Sequence, residues 1–238
     1  VIRLFLPREK LSSEQIIING KDARYLSSVL RVRPGEPITI FDGQGNRYIC
    51  NISEIHKKEV LVEKIKKEIY STESPVSIVL AQGIPKGDKM DFIVQKSTEL
   101  GVKKIIPLIT ERSQVRYTAK GERWRKIAVS ASQQSGREKI PDVDESLSIK
   151  EFLSRNQKGI IFSEEEKKQS LKKALKDFEK SPTITLLIGT EGGFSHNELA
   201  LAIDSGFISA SLGPRIFRTE TAAIAAVSII QYEMGDMG

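Results

Sequence analysis

The stretch TITLLIGTEGGFSHNEL, residues 183–199, runs an apolar segment into a turn holding Gly192 and Gly193 and then into the polar residues of a helix start. A reversal alone needs one glycine, at a position with positive φ. Two glycines beside the carboxylate of Glu191 exceed that need. Ser195 and Glu198 fit the capping box, in which the serine oxygen accepts from the third helical NH and the glutamate accepts from the serine NH. The segment therefore reads as strand, glycine turn, helix. In open α/β sheets, ligands sit at the carboxyl ends of strands, where backbone groups lie exposed beside such turns. Taken singly, the motif is equally well a plain strand-to-helix connection.

A second stretch of the same kind changes the balance. SLGPRIFRTETAAIAAVSIIQYE, residues 211–233, follows another strand end, turns through Gly213 and Pro214, and enters a helix of small residues. Arg215, Arg218, Thr219, Glu220 and Thr221 crowd its entrance. Arginine at a helix start opposes the helix dipole, and a position that breaks a local rule is a candidate functional site. The two turns lie about two dozen residues apart with one strand and helix between them, so they are expected to be neighbours on one edge of a sheet.

Outward from these motifs, strands alternate with helices from residue 71 to the end. VSIVLAQ, VKKIIPLIT, GIIF, TITLLIG and ISASL are the strands, with Pro107 favouring an edge or end. A helix closed by Gly101, a long helix around ERWRKIAVSASQQSG, a lysine-rich helix at SLKKALKDFEK and a last helix from about Thr219 lie between or after them. SEEEKKQ, residues 163–169, reads as a solvated helix start. Such alternation implies a mainly parallel sheet covered on both faces. Residues 1–70 differ. PITIFDGQGNRYICNI alternates around a turn as a hairpin does, EVLVEKIKKEI is another strand, and KDARYLSSVLRV places Ala23, Leu26, Val29 and Leu30 on one helical face. A small β-barrel over 1–70, a short polar linker ending at Pro75, and an α/β domain over 71–238 are expected.

Composition bounds the chemistry. The chain has 238 residues, 29% of them charged, and no apolar run near the ~20 residues of a bilayer span. VIRLFLPREK lacks the apolar core of a signal peptide, so a soluble, cytoplasmic protein with no membrane partner is expected. Cys50 is the single cysteine, which excludes an internal disulfide and reads as a packed strand residue; two separated histidines give no metal centre. The formal charge is +6, and between Arg112 and Lys139 eight Lys or Arg face two acids, an excess equal to that of the whole chain. Tyr117 and Trp124 lie among them. Basic residues interleaved with aromatics suit phosphate contact and base stacking, while the alternative is a solvated helix face.

IGTEGGFS, SLGPRIFRTETAA, QKSTELGV with IIPLIT, and ASQQSGR with IP, together with FDGQGNRY and VLRVRPG, resemble the bacterial small-subunit ribosomal RNA uridine-N3 methyltransferases of the SPOUT class. The resemblance covers nearly the whole chain. It implies a PUA-like barrel, a SPOUT-type sheet with a C-terminal trefoil knot, S-adenosylmethionine as methyl donor, small-subunit RNA or the assembled subunit as substrate, and a homodimer. By position it implies that Phe162, Ser163, Leu187, Gly189, Glu191, Gly192, Gly193, Leu212, Gly213, Ile216, Arg218 and Thr219 hold the cofactor. Arg218 and Glu220 are the catalytic candidates. Arg218 keeps its proton and so stabilises charge, while Glu220, Glu191 or water accepts the proton of N3. Candidate RNA contacts are Arg3, Arg24, Arg31, Arg112, Arg116, Arg123, Arg125 and Arg137. The family pattern has proline where Thr190 stands and histidine near Tyr25.

Overall fold

The computed structural model describes residues 2–69, 71–114, 118–155, 158–179 and 181–238. Two compact units emerge, Val1–Glu73 with Ser132–Ile140, and Ser74–Ala131 with Pro141–Gly238.

In the first unit, β1 (Ile2–Phe5), β2 (Gln15–Asn19), β3 (Pro37–Phe41), β4 (Arg47–Ile55) and β5 (Glu59–Glu68) form one sheet in the order β1-β3-β4-β5-β2. All five strands send residues into a single core, among them Leu4, Ile16, Ile18, Ile40, Ile52 and Val62. The β3–β4 hairpin is closed from within by Asp42, whose carboxylate accepts from the backbone NH of Gln44 at 2.8 Å and of Asn46 at 3.0 Å. Gly43 and Gly45 take the positive φ that this turn needs. Cys50 is buried in the core, and burial pushes its thiol up to about 11, which leaves it inert.

After β2 come α1 (Gly20–Arg24) and a π turn over Tyr25–Leu30. The π turn corrects the expected helical face: Ala23 and Leu26 are buried, but Val29 is 65% exposed and Leu30 37%. A π turn advances less than 100° per residue, so Val29 rotates off the α-helical stripe. Arg31 ends the turn in the left-handed region at φ 55°. The return of residues 132–140 is fastened by buried polar groups. Glu138 accepts from Ser71 Oγ and from the Thr72 NH at 3.0 Å, and Arg137 forks onto Glu73 at 2.7 and 3.2 Å.

The second unit is built on β6 (Ser77–Gly83), β7 (Lys104–Ile109), β8 (Asp142–Val143), β9 (Leu147–Ser148), β10 (Gly159–Phe162), β11 (Thr183–Ile188) and β12 (Phe207–Ala210). The order is β12-β10-β11-β6-β7-β8, with β9 beside the far end of β7, and every pair is parallel. Pro107 lies between the stretches of β7 that pair with β8 and β9, where the missing NH breaks no ladder. The helices are α2 (Lys89–Glu99), α3 (Gly121–Ser135), α4 (Ile149–Leu153), α5 (Leu171–Ala174), α6 (His196–Asp204) and α7 (Thr219–Met234). One face of the sheet, with Ala81, Ile106, Ile161 and Leu187, packs on α4 and α6 through Phe152, Leu153 and Ala202. Elsewhere α7 packs on α2, β6 and β11. No helix among the described residues is long and apolar enough to cross a membrane.

Two expectations change here. Residues 163–169 form no helix. Glu166 accepts from the backbone NH groups of Lys168 at 2.7 Å and Gln169 at 2.9 Å and folds the segment into a loop. Those bonds hold its carboxyl below the usual range. Trp124 is 1% exposed and donates to Asp91 at 3.0 Å, so it is a core residue of α3 and offers no stacking surface.

Candidate functional site

Because β12, β10 and β11 are adjacent and parallel, their carboxyl ends bring three connections side by side. Phe162 and Ser163 leave β10, the GTEGG turn leaves β11, and residues 211–218 leave β12 for α7. Between them lies a cleft of about 870 Å³ including its open mouth.

The loops are tied to one another by backbone bonds. Ser163 NH donates to Ala210 O at 3.1 Å, Ser211 NH to Gln169 O at 2.8 Å, and Leu171 NH to Ser211 O at 3.0 Å. The chain leaving β12 is thus paired with the loop between β10 and α5 before α7 carries it back to β6 and β11. In the GTEGG turn Gly193 NH donates to Thr190 O at 3.0 Å and Gly193 has φ 68°. A Cβ on Gly189 would stand 2.8 Å from the Gly193 carbonyl carbon, so neither position accepts a side chain without distortion. At Gly192 a Cβ would meet only the Arg112 side chain, at an ordinary 3.4 Å. The demand for glycine therefore falls on Gly189 and Gly193.

Other elements clamp the same turn. Arg112 Nη1 donates to Gly192 O at 2.6 Å, Lys89 pairs with Glu191 at 2.6 Å, and the Lys86 NH reaches Glu191 at 3.3 Å. Burial alone would raise the Glu191 carboxyl, but Lys89 and these backbone bonds hold it below the usual carboxylate range. The capping box of α6 is formed, with Glu198 NH on Ser195 Oγ at 3.1 Å and Ser195 NH on Glu198 at 2.9 Å. Glu198 also accepts from the Glu111 NH at 2.7 Å.

Phe162, Ser163, Gly189, Glu191, Gly193, Leu212, Gly213, Ile216 and Thr219 line the cleft. Leu187 does not. It is buried in the core against the α4–α6 side, and the next residue, Ile188, forms the wall, because side chains alternate along a strand. Gly192 sits against Arg112, outside the lining. Arg218 is an exposed N-cap of α7, and Glu220, one residue past the lining Thr219, is half-buried with Oε2 buried and unpartnered. The lining also includes Arg215, one of the polar residues crowding the entrance of α7, and Glu164, Glu165, Phe194 and His196, which the sequence did not single out. Glu164 and Glu165 were hidden in a charge run, and His196 stands 3.5 Å from Glu165.

The basic candidates scatter. Arg112 belongs to the cleft. Arg123 pairs with Asp91 and Arg125 with Glu145, and both remain half-exposed on α3. Arg137 is buried with Glu73, which corrects its assignment as a docking residue: its charge is neutralised inside the first unit. Arg3 is half-buried and donates to Gln134 O at 3.3 Å. Arg24 and Arg31 are exposed. Arg116, with its neighbour Tyr117, lies outside the described residues. Among the described residues, no group of three or more His, Cys, Asp or Glu is arranged to hold a metal ion.

The chain matches the RNA methyltransferase domain family over residues 72–231 and the RNA methyltransferase PUA domain family over residues 18–65. It is 34% identical to a ribosomal RNA small subunit methyltransferase E of Buchnera aphidicola, over 98% of this chain and 94% of that protein. The counterpart of the same name in Bacillus subtilis is 32% identical, over 91% and 89%. Among solved structures, a ribosomal RNA small subunit methyltransferase E of Neisseria gonorrhoeae bound to S-adenosyl methionine superposes with a TM-score of 0.91 at 36% identity, covering 100% of this chain and 99% of that one.

Proposed function

The chain belongs to the ribosomal RNA small subunit methyltransferase E family, and from that premise we propose that it transfers the methyl group of S-adenosylmethionine to N3 of a uridine in small-subunit ribosomal RNA. The observation that carries the reading is a cleft lined by three loops from adjacent strand ends, in which glycines leave backbone where side chains would stand. A nucleoside fits such a surface: Gly213 opens onto free space, and Ile216 is 80% exposed at the rim as an apolar contact awaiting cover. When bound, S-adenosylmethionine supplies a methyl group on a sulfonium leaving group.

The protein's own part is to hold, align and exclude water. Phe162, Ser163, Gly189, Gly193, Leu212, Gly213, Ile216 and Thr219 hold the donor, and Phe194 and Leu199 keep one wall apolar. Arg218, exposed beside the lining residues Phe217 and Thr219, meets the target base and stabilises the charge developing on the uracil oxygens. N3 lies on the pairing edge and carries a proton, so the base enters unpaired and loses that proton. Of the two candidate acceptors, Glu191 is committed to Lys89, whereas Glu220 has an unpartnered Oε2, which supports Glu220 as the side-chain acceptor. Arg24 and Arg31 on the first unit and Arg112 at the cleft are exposed and stand outside the acidic pairs that engage Arg123 and Arg125, which supports them as the RNA contacts.

The return of the chain after β12, past the β10–α5 loop and back to β6, supports a C-terminal trefoil knot. Ala222, Ala225, Ile229 and Tyr232 form one stripe of α7, and Ile229 and Tyr232 are exposed, which supports a homodimer through α7. Ribosomal RNA as substrate supports a cytoplasmic site of action. Labelled S-adenosylmethionine incubated with the protein and small-subunit RNA, free or in assembled subunits, followed by nucleoside analysis, tests the reading. Labelled 3-methyluridine is expected. Label on another atom overturns the N3 assignment, and bound donor with no transfer overturns catalysis.

A further inference from the structure

Gln82 is the penultimate residue of β6, the strand beside β11 at the centre of the sheet, and it is fully buried. Its Nε2 lies 3.2 Å from Gly189 O, 2.9 Å from Thr219 Oγ1 and 2.9 Å from Gly83 O. Thr219 Oγ1 in turn donates to Gly189 O at 2.6 Å. One amide thus closes a triangle with the first residue of the GTEGG turn and the first residue of α7. Those are the two glycine-bearing connections that form the cleft, and they come from different strands. Gly83, next in sequence, leaves room for this approach: a Cβ there would stand 2.9 Å from the Thr190 NH nitrogen.

A leucine or methionine in this place would pack without a polar group to satisfy, and Gln82 Oε1 is buried with no partner. An unsatisfied buried oxygen destabilises a fold, and polar groups kept in such places serve a specific geometry. The amide also aims correctly. Donation to Gly189 O and Thr219 Oγ1 requires Nε2 on that side, since a carbonyl turned there would face the Gly189 carbonyl oxygen. Gln82 does not line the cleft, whereas Gly189 and Thr219 do.

We propose that Gln82 is a positioning residue that sets the methyl-donor site by fixing the Gly189 carbonyl and the Thr219 hydroxyl relative to each other. The proposal rests on the methyltransferase reading above, and its failure is separable from failure of that reading: donor binding by the parent chain tests the reading, and the change in a variant tests the proposal. Gln82→Met keeps volume and removes the amide. Titration calorimetry with S-adenosylmethionine should give a dissociation constant raised by about tenfold, the effect of losing roughly two buried hydrogen bonds. In steady-state assays KM for the donor should rise by a similar factor, while kcat at saturating donor changes less than threefold. Thr219→Val should weaken binding likewise, and the double variant should be no more than about twofold weaker than the worse single, because both act through one triangle. Should Gln82→Met fail to fold by circular dichroism, Gln82→Asn, which keeps the amide but withdraws it by one methylene, carries the same expectation. A folded variant with donor affinity within twofold of the parent, or single-variant effects that multiply in the double, overturns the proposal.

Discussion

Gly189 and Gly193 carry different constraints from Gly192, and the difference is testable one residue at a time. Gly193 holds φ 68°, a region that costs an L-residue roughly 1–2 kcal/mol, and a Cβ on Gly189 would press on the backbone of Gly193. Gly193→Ala or Gly189→Ala should therefore weaken S-adenosylmethionine binding at least tenfold, while Gly192→Ala, facing only a flexible Arg112, should stay within about threefold by calorimetry. Equal losses at all three positions would refute the assignment. Arg218 calls for a different readout. Its fixed positive charge has no natural partner on a sulfonium, so Arg218→Ala should lower single-turnover rates by about a hundredfold or more, in line with loss of one charge-stabilising donor, with little change in donor affinity. An unchanged rate would reject its role at the target base. Glycine turns and capping residues were legible in the sequence because their chemistry is local. The choice between Leu187 and Ile188 was not, because β11 is buried on both faces and shows no alternation of polar and apolar residues.

At the scale of elements, α3 separates charge in sequence from charge available to a ligand. Its position among eight basic residues suggested an RNA surface, but a helix buries one stripe, and here that stripe holds Trp124, Ala128 and Ala131. Arg123 and Arg125 are then left to pair with acids brought in from Asp91 and Glu145, partners that lie far away in sequence and were invisible to a linear reading. Such half-exposed pairs contribute roughly 0–1 kcal/mol each. Arg123→Ala with Arg125→Ala should accordingly lower RNA affinity by less than Arg24→Ala with Arg31→Ala. Only the latter should flatten the salt dependence, by roughly 0.7 to 0.9 in log-log slope per lost contact. Fluorescence anisotropy across a salt series decides it, and a flatter slope for the α3 pair would return docking to that helix. The return of residues 132–140 to the first unit depends on Glu138. Burial favours its neutral form, but Ser71, Thr72 and the Thr72 NH outweigh burial and hold its carboxyl below the usual value. A depressed folded-state pKa adds stability that is present above the unfolded value, roughly 4.3, and lost as pH falls through the folded one. Glu138→Gln should thus cost about 1–3 kcal/mol at pH 7 and give a flatter decline in stability below about pH 4.5. Urea melts across that range check it, and a slope equal to the parent's would sink the argument.

At the scale of the whole molecule, the proposed dimer would make α7 a link between the cleft and assembly. It is apolar on nearly every side, which a helix exposed along one face does not need. Ala223, Ala226, Val227 and Ile230 are buried within the second unit, which accounts for one face. Ala222, Ala225, Ile229 and Tyr232 form another, and Phe92 on α2, the helix α7 packs against, is also exposed. Single exposed apolar residues need no explanation, but a stripe of them continuing from a residue that lines the cleft does. Covering that stripe with the same stripe of a second copy would form a two-fold, self-complementary interface, the commonest arrangement of soluble oligomers. Since Ala222 belongs both to the stripe and to the cleft, the partner would also steady the α7 wall of the proposed donor site. Ile229→Asp with Tyr232→Asp places like charges across any such interface while leaving the buried face of α7 untouched. Sedimentation velocity should show a dimer for the parent and a monomer for the variant. The monomer should retain its far-ultraviolet circular dichroism and bind S-adenosylmethionine several-fold more weakly, with the loss recovering as protein concentration rises only if association persists. A parent that sediments as a monomer at micromolar concentration would refute the dimer, and a monomeric variant with parental donor affinity would confine the stripe to assembly alone.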